Sequence, residues 1–161
     1  MHNKTYLHTM ISIGIDPGVS GGVCILYTEL RHSTTFKSTK CPDTIKDMAD
    51  YLSIHCHDTV DTLCVIEKVH SFPGQGVAST FKFGKNYGQW LGILASLDIP
   101  YMEVSPQKWM KHYGAMPREK KERKNHLKHL AQSLWPQVKV TLYNADAILL
   151  ANYSKMLSIG Y

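Results

Sequence analysis

The sequence predicts an α/β fold: a central mixed sheet of about five strands, the first three antiparallel and the others parallel, flanked by helices. Three observations carry that expectation. Ile11, Ile13 and Ile15 alternate with small residues at the period of a strand, and the PGVSGG that follows is too rich in glycine to continue it. Leu63 to Ile66 form the unbroken apolar run of a strand covered on both faces. Elsewhere the apolar residues recur every three or four positions, which is the period of a helix packed on one side.

The elements follow in chain order. The first nine residues read as a polar lead-in without the apolar core of a signal peptide, so the protein is expected not to be secreted. Val23 to Tyr27 and Thr34 to Ser38 read as the second and third strands of a meander. Pro42 and Asp43 open a helix whose apolar face is Ile45, Met48, Ala49 and Leu52. Asp61 to Lys68 is the fourth strand, and the loop from Val69 to Ala78 contains HSFPGQGVA. Ser79 caps a helix that runs to about Leu97, with Phe83, Tyr87, Trp90, Leu94 and Leu97 on its apolar face. Tyr101 to Val104 is a fifth strand. Ser105 and Pro106 start a short helix containing Lys108, Trp109 and Lys111. Arg118 to Leu134 is a basic helix that docks through Leu127, Leu130, Ala131 and Leu134 and turns its lysines outward. A last, almost wholly apolar helix begins near Asn144.

At 161 residues, 43% hydrophobic and 19% charged, the chain has the make-up of one ordinary globular domain, here taken as 1–161. No apolar run approaches the ~20 residues of a membrane span. Cys24, Cys41, Cys56 and Cys64 lack metal or redox spacing and read as buried free thiols of a reducing compartment. His55-Cys56-His57 invites zinc, but adjacent residues point to different helix faces and no second pair follows. The net charge of +5 is concentrated: residues 105–130 hold eight Lys or Arg against two Glu, while the remainder holds ten against eleven acids. A solvated helix face accounts for most charge runs, yet one this one-sided also suits a polyanion.

Asp16 ends the first strand and Glu67 ends the fourth. Each alone has an ordinary reading, Asp16 as a turn cap and Glu67 as the partner of a nearby base. Together they say more. If the two strands are parallel neighbours, both carboxylates leave the sheet at one edge, close enough to share a hard divalent cation. Asp146, in the first turn of the last helix, is the one acid beyond Glu122. It either compensates the helix dipole or completes an acidic trio. The glycines after Asp16 permit close approach by a large ligand. Gly84, Gly88 and Gly92 form a stripe on their helix that costs ~1 kcal/mol per residue relative to alanine, so close packing against the sheet, a second copy, or both is expected.

IGIDPGVSGG, then VIE before a loop, then STFKFGKNYG opening a helix, and finally NADAILLA resemble the RuvC-type Holliday junction resolvases of the ribonuclease H-like superfamily, over roughly residues 10–153. WLGIL, with the shortened loop before it, is similar to the phage and chloroplast branches. The first motif alone is shared with actin-like ATPases, but no second phosphate-binding glycine loop follows. The resemblance implies a ribonuclease H-like fold and a homodimer that nicks four-way DNA junctions in symmetric pairs, in the cytoplasm of a bacterial or phage-infected cell or in an organelle. It implies Mg²⁺ or Mn²⁺, two per site, held by Asp16, Glu67 and Asp146, with no organic cofactor and no membrane partner. Phe72, or less well His70, falls where the family inserts a residue at the junction. Lys108 and Lys120 match DNA-contacting lysines, with Lys111, Lys121 and Lys124 beside them. Tyr143 stands where the family has a fourth acid or a His, which puts the second metal in doubt and leaves Asn144 as a weaker ligand. The competing readings are a nuclease for flaps, single strands or RNA, and a junction-binding protein with a weakened site.

Overall fold

The computed structural model describes residues 9–29, 34–56, 61–71 and 73–160. The expectations that rest on Phe72, on His57 and on most of the N-terminal lead-in lie outside the described residues. Strands β1 (Thr9–Asp16), β2 (Gly22–Glu29), β3 (Thr34–Lys40), β4 (Thr62–Glu67) and β5 (Tyr101–Val104) form one sheet in the order β3-β2-β1-β4-β5. The pairs β1–β2 and β2–β3 are antiparallel, and β1–β4 and β4–β5 are parallel. This is the predicted sheet.

Helices cover both faces. Ile11, Ile13 and Ile15 point to one side, where they meet Met48 and Leu52 of α1 (Ile45–His55) and Trp90, Ile93 and Leu94 of α2 (Val77–Ser96). The alternate residues of β1 are small because the other face must admit α5 (Ala145–Ile159) at very short range. A Cβ on Gly14 would lie 2.2 Å from Ala147 O and 2.2 Å from Ala151 N. Around α5 the second core gathers Leu26, Val65, Trp109, Leu127 and Trp135. These come in part from α3 (Pro106–His112) and α4 (Lys120–Leu134). Ser154 of α5 ties back to the sheet by donating to Leu63 O at 2.7 Å. All four cysteines are buried and unpaired. No helix among the described residues is long and apolar enough to cross a membrane.

Three helix starts differ from the pattern-based expectation, each for a local reason. α1 begins at Ile45, because Thr44 Oγ1 accepts the Asp47 N–H at 3.1 Å, while Asp43 pairs with Lys40. α2 begins at Val77 after Gly76, with no side-chain cap, so Ser79 lies inside the first turn. α4 begins at Lys120, where the Glu119 carboxylate accepts the Glu122 N–H at 2.8 Å. On α4 the docking face is narrower than expected: Leu127 and Ala131 are buried, and Leu134 is 44% exposed.

A candidate metal and nucleic-acid site at the sheet edge

The parallel register of β1 and β4 runs to Ile15 opposite Ile66, and the next residue on each strand is the acid, Asp16 or Glu67. Neighbouring strands lie ~4.8 Å apart, so the two carboxylates leave the sheet side by side. α5 supplies the third. Its close seat on Gly14 brings its N-terminal turn, with Asp146, over the end of β1. Asp16, Glu67 and Asp146 line one cavity of about 540 Å³ together with Lys120, Arg123 and Lys124.

The glycines after Asp16 prove to serve the protein's own chain. A Cβ on Gly21 would stand 2.0 Å from Asp16 O, and one on Gly22 would stand 2.6 Å from Tyr143 O. The turn folds back on the acid and is braced against the segment leading into α5. Gly18, at φ +109°, donates its N–H to Asn86 Oδ1 of α2 at 2.7 Å. Asn86 Nδ2 in turn lies 3.4 Å from Cys41 Sγ. The acid-bearing turn is thus held from both sides of the sheet.

Burial raises the pKa of all three acids. Asp16 is pushed well above the usual carboxylate range by desolvation, then by the charges of Asp146 and Glu67, against a lowering from Lys124. Glu67 is raised to about 7 by burial and by Asp146, while the Trp109 hydrogen bond and Lys124 act the other way. Asp146 is raised by burial and held down by Lys124 and Arg123. Asp146 also sits where the α5 dipole favours a negative charge. Lys40 pairs with Asp43 and Lys46 with Asp50, both away from this cavity.

The donor set suits a hard cation, since every candidate ligand is a carboxylate oxygen and such ions bind through one or two carboxylates completed by phosphate oxygens and water. The expected convergence of all three acids on one ion is not met. Among the described residues no three His, Cys, Asp or Glu stand close enough to hold an ion jointly. Like charges within one pocket disfavour closer approach unless a cation lies among them.

Several candidates fall differently from expectation. Lys120 and Lys124 are exposed, as the amphipathic pattern expects, and they also line the cavity that holds the acids, which the pattern does not show. Lys108, Lys111 and Lys121 are exposed and lie outside this cavity, and His70 is exposed on the loop after β4. Asn144 is committed to its own loop. Its Oδ1 accepts from Thr141 N at 2.7 Å and its Nδ2 donates to Ser38 Oγ at 3.1 Å, so it clamps the start of α5 and is not free as a metal ligand. Tyr143 is half exposed beside it. Two contributors had gone unmarked. Arg123 is one of several cations along the basic helix and nothing in the pattern singles it out. Fully buried Trp109 donates its indole N–H to Glu67 Oε2 at 2.7 Å; an unmatched Trp on a short helix straight after a strand was its one visible sign.

The glycine stripe of α2 does not pack on the sheet. A Cβ at Gly84, Gly88 or Gly92 would meet nothing within 4 Å, and Trp90, Ile93 and Leu94 make the contact with the core instead.

No protein-family model matches the chain, and no curated protein matches it in sequence. Solved structures do share its fold. Thermus thermophilus RuvC in complex with a Holliday junction substrate superposes with a TM-score of 0.56 at 14% identity, covering 92% of this chain and 97% of that one. A second Thermus thermophilus RuvC structure gives 0.55 at 18%, covering 92% and 98%. The Fowlpox virus resolvase, solved with Holliday junction DNA, gives 0.52 at 13%, covering 92% and 99%.

Proposed function

We propose that this chain is a divalent-metal-dependent endonuclease that resolves four-way DNA junctions. The observation that carries the reading is one cavity lined by charges of both signs. Asp16, Glu67 and Asp146 make an acid group fit for a cation, and Lys120, Arg123 and Lys124 make a basic group fit for a phosphodiester. Neither group is comfortable alone; a metal ion and a DNA phosphate together satisfy both. The fold shared with RuvC and the poxvirus resolvase, each solved on Holliday junction DNA, supports the choice of substrate. The WLGIL segment favours the phage and chloroplast branch.

In this mechanism Asp16, Glu67 and Asp146, which in the metal-free chain do not stand close enough to hold an ion jointly, would be drawn together around Mg²⁺ or Mn²⁺, and the bound ion would supply an activated water and stabilise the leaving 3′ oxygen. The acids act as ionised ligands, so ion binding displaces the protons that burial favours. Trp109 holds one oxygen of Glu67 by its indole N–H, so the carboxylate is oriented and its other oxygen would be available to an ion. Lys124 and Arg123, beside the acids, neutralise the scissile phosphate, and Lys120 adds to their charge. Exposed Lys108, Lys111 and Lys121 contact flanking phosphates, adding affinity that falls with salt and carries little sequence choice. The open glycine face of α2 is where a second copy would sit, which sets two such sites about a two-fold axis for paired nicks.

One observation keeps a second reading in play. With Tyr143 and the clamped Asn144 in place of a further acid ligand, the chain would bind junctions without cutting them. A nicking assay on four-way junctions, flaps, single strands and RNA–DNA hybrids in Mn²⁺ separates the readings. We expect paired nicks on the junction, lost in Asp16→Asn with junction binding retained. Binding without nicking by the unmutated protein in Mn²⁺ sinks the nuclease; faster cutting of flaps or hybrids changes its substrate.

A further inference from the structure

Beside the acid cavity lies a second one of about 460 Å³, and the two share Pro106, Met110 and Arg123. Their chemistry differs. The second has no acid among its described lining residues; Met116 and Pro117 join the shared apolar residues in its floor, and Lys111 and Arg118 add to the positive charge. Its one neutral side chain able both to donate and to accept is Gln107, which is exposed at the start of α3. Arg123 is fixed between the two, because its guanidinium donates to Pro117 O at 3.2 Å and to Arg118 O at 3.0 Å.

An apolar floor, a cationic rim and a single amide describe a site for a flat heterocycle that carries a phosphate, and the volume is in the ordinary range for such ligands. On the reading given above, the acid cavity receives a backbone phosphate. The next base of the same strand then arrives at Arg123, where the two cavities meet. Withdrawing a base from a continuous duplex costs a few kcal/mol, but at a branch point stacking is already interrupted and the cost falls. We infer that the second cavity takes the unstacked base next to the cleaved phosphate, with the methionines packing its ring and Gln107 reading its edge. Methionine suits this role because its flexible, polarisable side chain adapts to more than one ring shape. The inference rests on the junction reading and adds a source of cleavage-site preference to it.

The test uses the full chain without divalent metal, so that binding is read apart from cutting. Four-way junctions carry 2-aminopurine at one position at a time around the branch point. We expect one position to brighten several-fold on binding, as unstacking into an apolar site requires. Met116→Trp, which fills the cavity, should abolish the brightening while junction affinity stays within about threefold, since phosphate contacts carry that affinity. Gln107→Trp occludes the same cavity from an exposed position and should do the same, which covers the case in which Met116→Trp does not fold. If the junction binds and no position brightens, or if brightening survives both substitutions, the inference is overturned. If the unmutated protein does not bind junctions, the functional reading itself fails, a result distinct from both.

Discussion

Two sets of glycines, at the end of β1 and along α2, look alike in the sequence and do opposite work. Gly14, Gly21 and Gly22 are crowded by backbone that a Cβ would overlap, whereas Gly84, Gly88 and Gly92 face open space. The first set lets three chain segments meet closely enough to gather acids from β1, β4 and α5. The second leaves a smooth helix face that the monomer does not use. Glycine therefore marks close approach only in the first place, where the approaching segments belong to the same chain; in the second it leaves a face open.

Substitutions sharpen that contrast, beginning with the largest effect. Gly14→Ala forces α5 off β1, and we expect a loss of about 3 kcal/mol or more in chemical denaturation, at the upper end of overpacking costs. A variant that keeps its stability would mean that α5 is not seated as described. Trp109→Phe removes the hydrogen bond to Glu67 without emptying the core. It should raise the Glu67 pKa further and weaken Mn²⁺ binding about tenfold by calorimetry, the usual scale for an outer-shell partner.

Acidity tests the crowded end without mutation. Burial raises Glu67 to about 7 in the folded chain from the ordinary 4.5 of an exposed glutamate, so between those values the folded state holds the extra proton. Stability of the metal-free protein should then fall as pH rises through that window, and Asp16 and Asp146, also raised, act in the same direction. Melting curves from pH 4.5 to 7.5 would show the melting temperature declining, and Mn²⁺ should reverse the decline at the upper end. A melting temperature that climbs over this range contradicts the burial of uncompensated acids.

The open stripe carries the smallest effect. Gly88→Ala should raise stability by about 1 kcal/mol in dilute solution, because nothing obstructs a methyl group there and alanine is the better helix former. If a second copy covers the stripe, the same substitution should weaken self-association in analytical ultracentrifugation. A neutral result in both measurements would remove the stripe from the proposed dimer.

Much of this was legible in advance where a local pattern has one physical outcome. Ile11, Ile13 and Ile15 can bury together on one face of a strand and on nothing else, and the uniform run before Glu67 demands cover on both sides. The neighbouring acids followed once the strands were parallel. The reach of exposed Lys124 to the acids was hidden, because a lysine three residues before a buried leucine can extend either along the cavity rim or away from it. Asn144 was misread for a related reason. An amide beside an acid suits a metal or a loop equally; its bond to Thr141 is local, but its bond to Ser38 reaches a strand more than a hundred positions away.

The sequence by itself determined the strands, the helices and which acids end them, since periodicity and turn chemistry act over a few residues. Tertiary structure alone decided what meets those acids: α5 through the space left by Gly14, the indole of Trp109, and the cations of α4. Such meetings depend on the distance between helix axis and sheet, and that distance is set by the packing of the whole core.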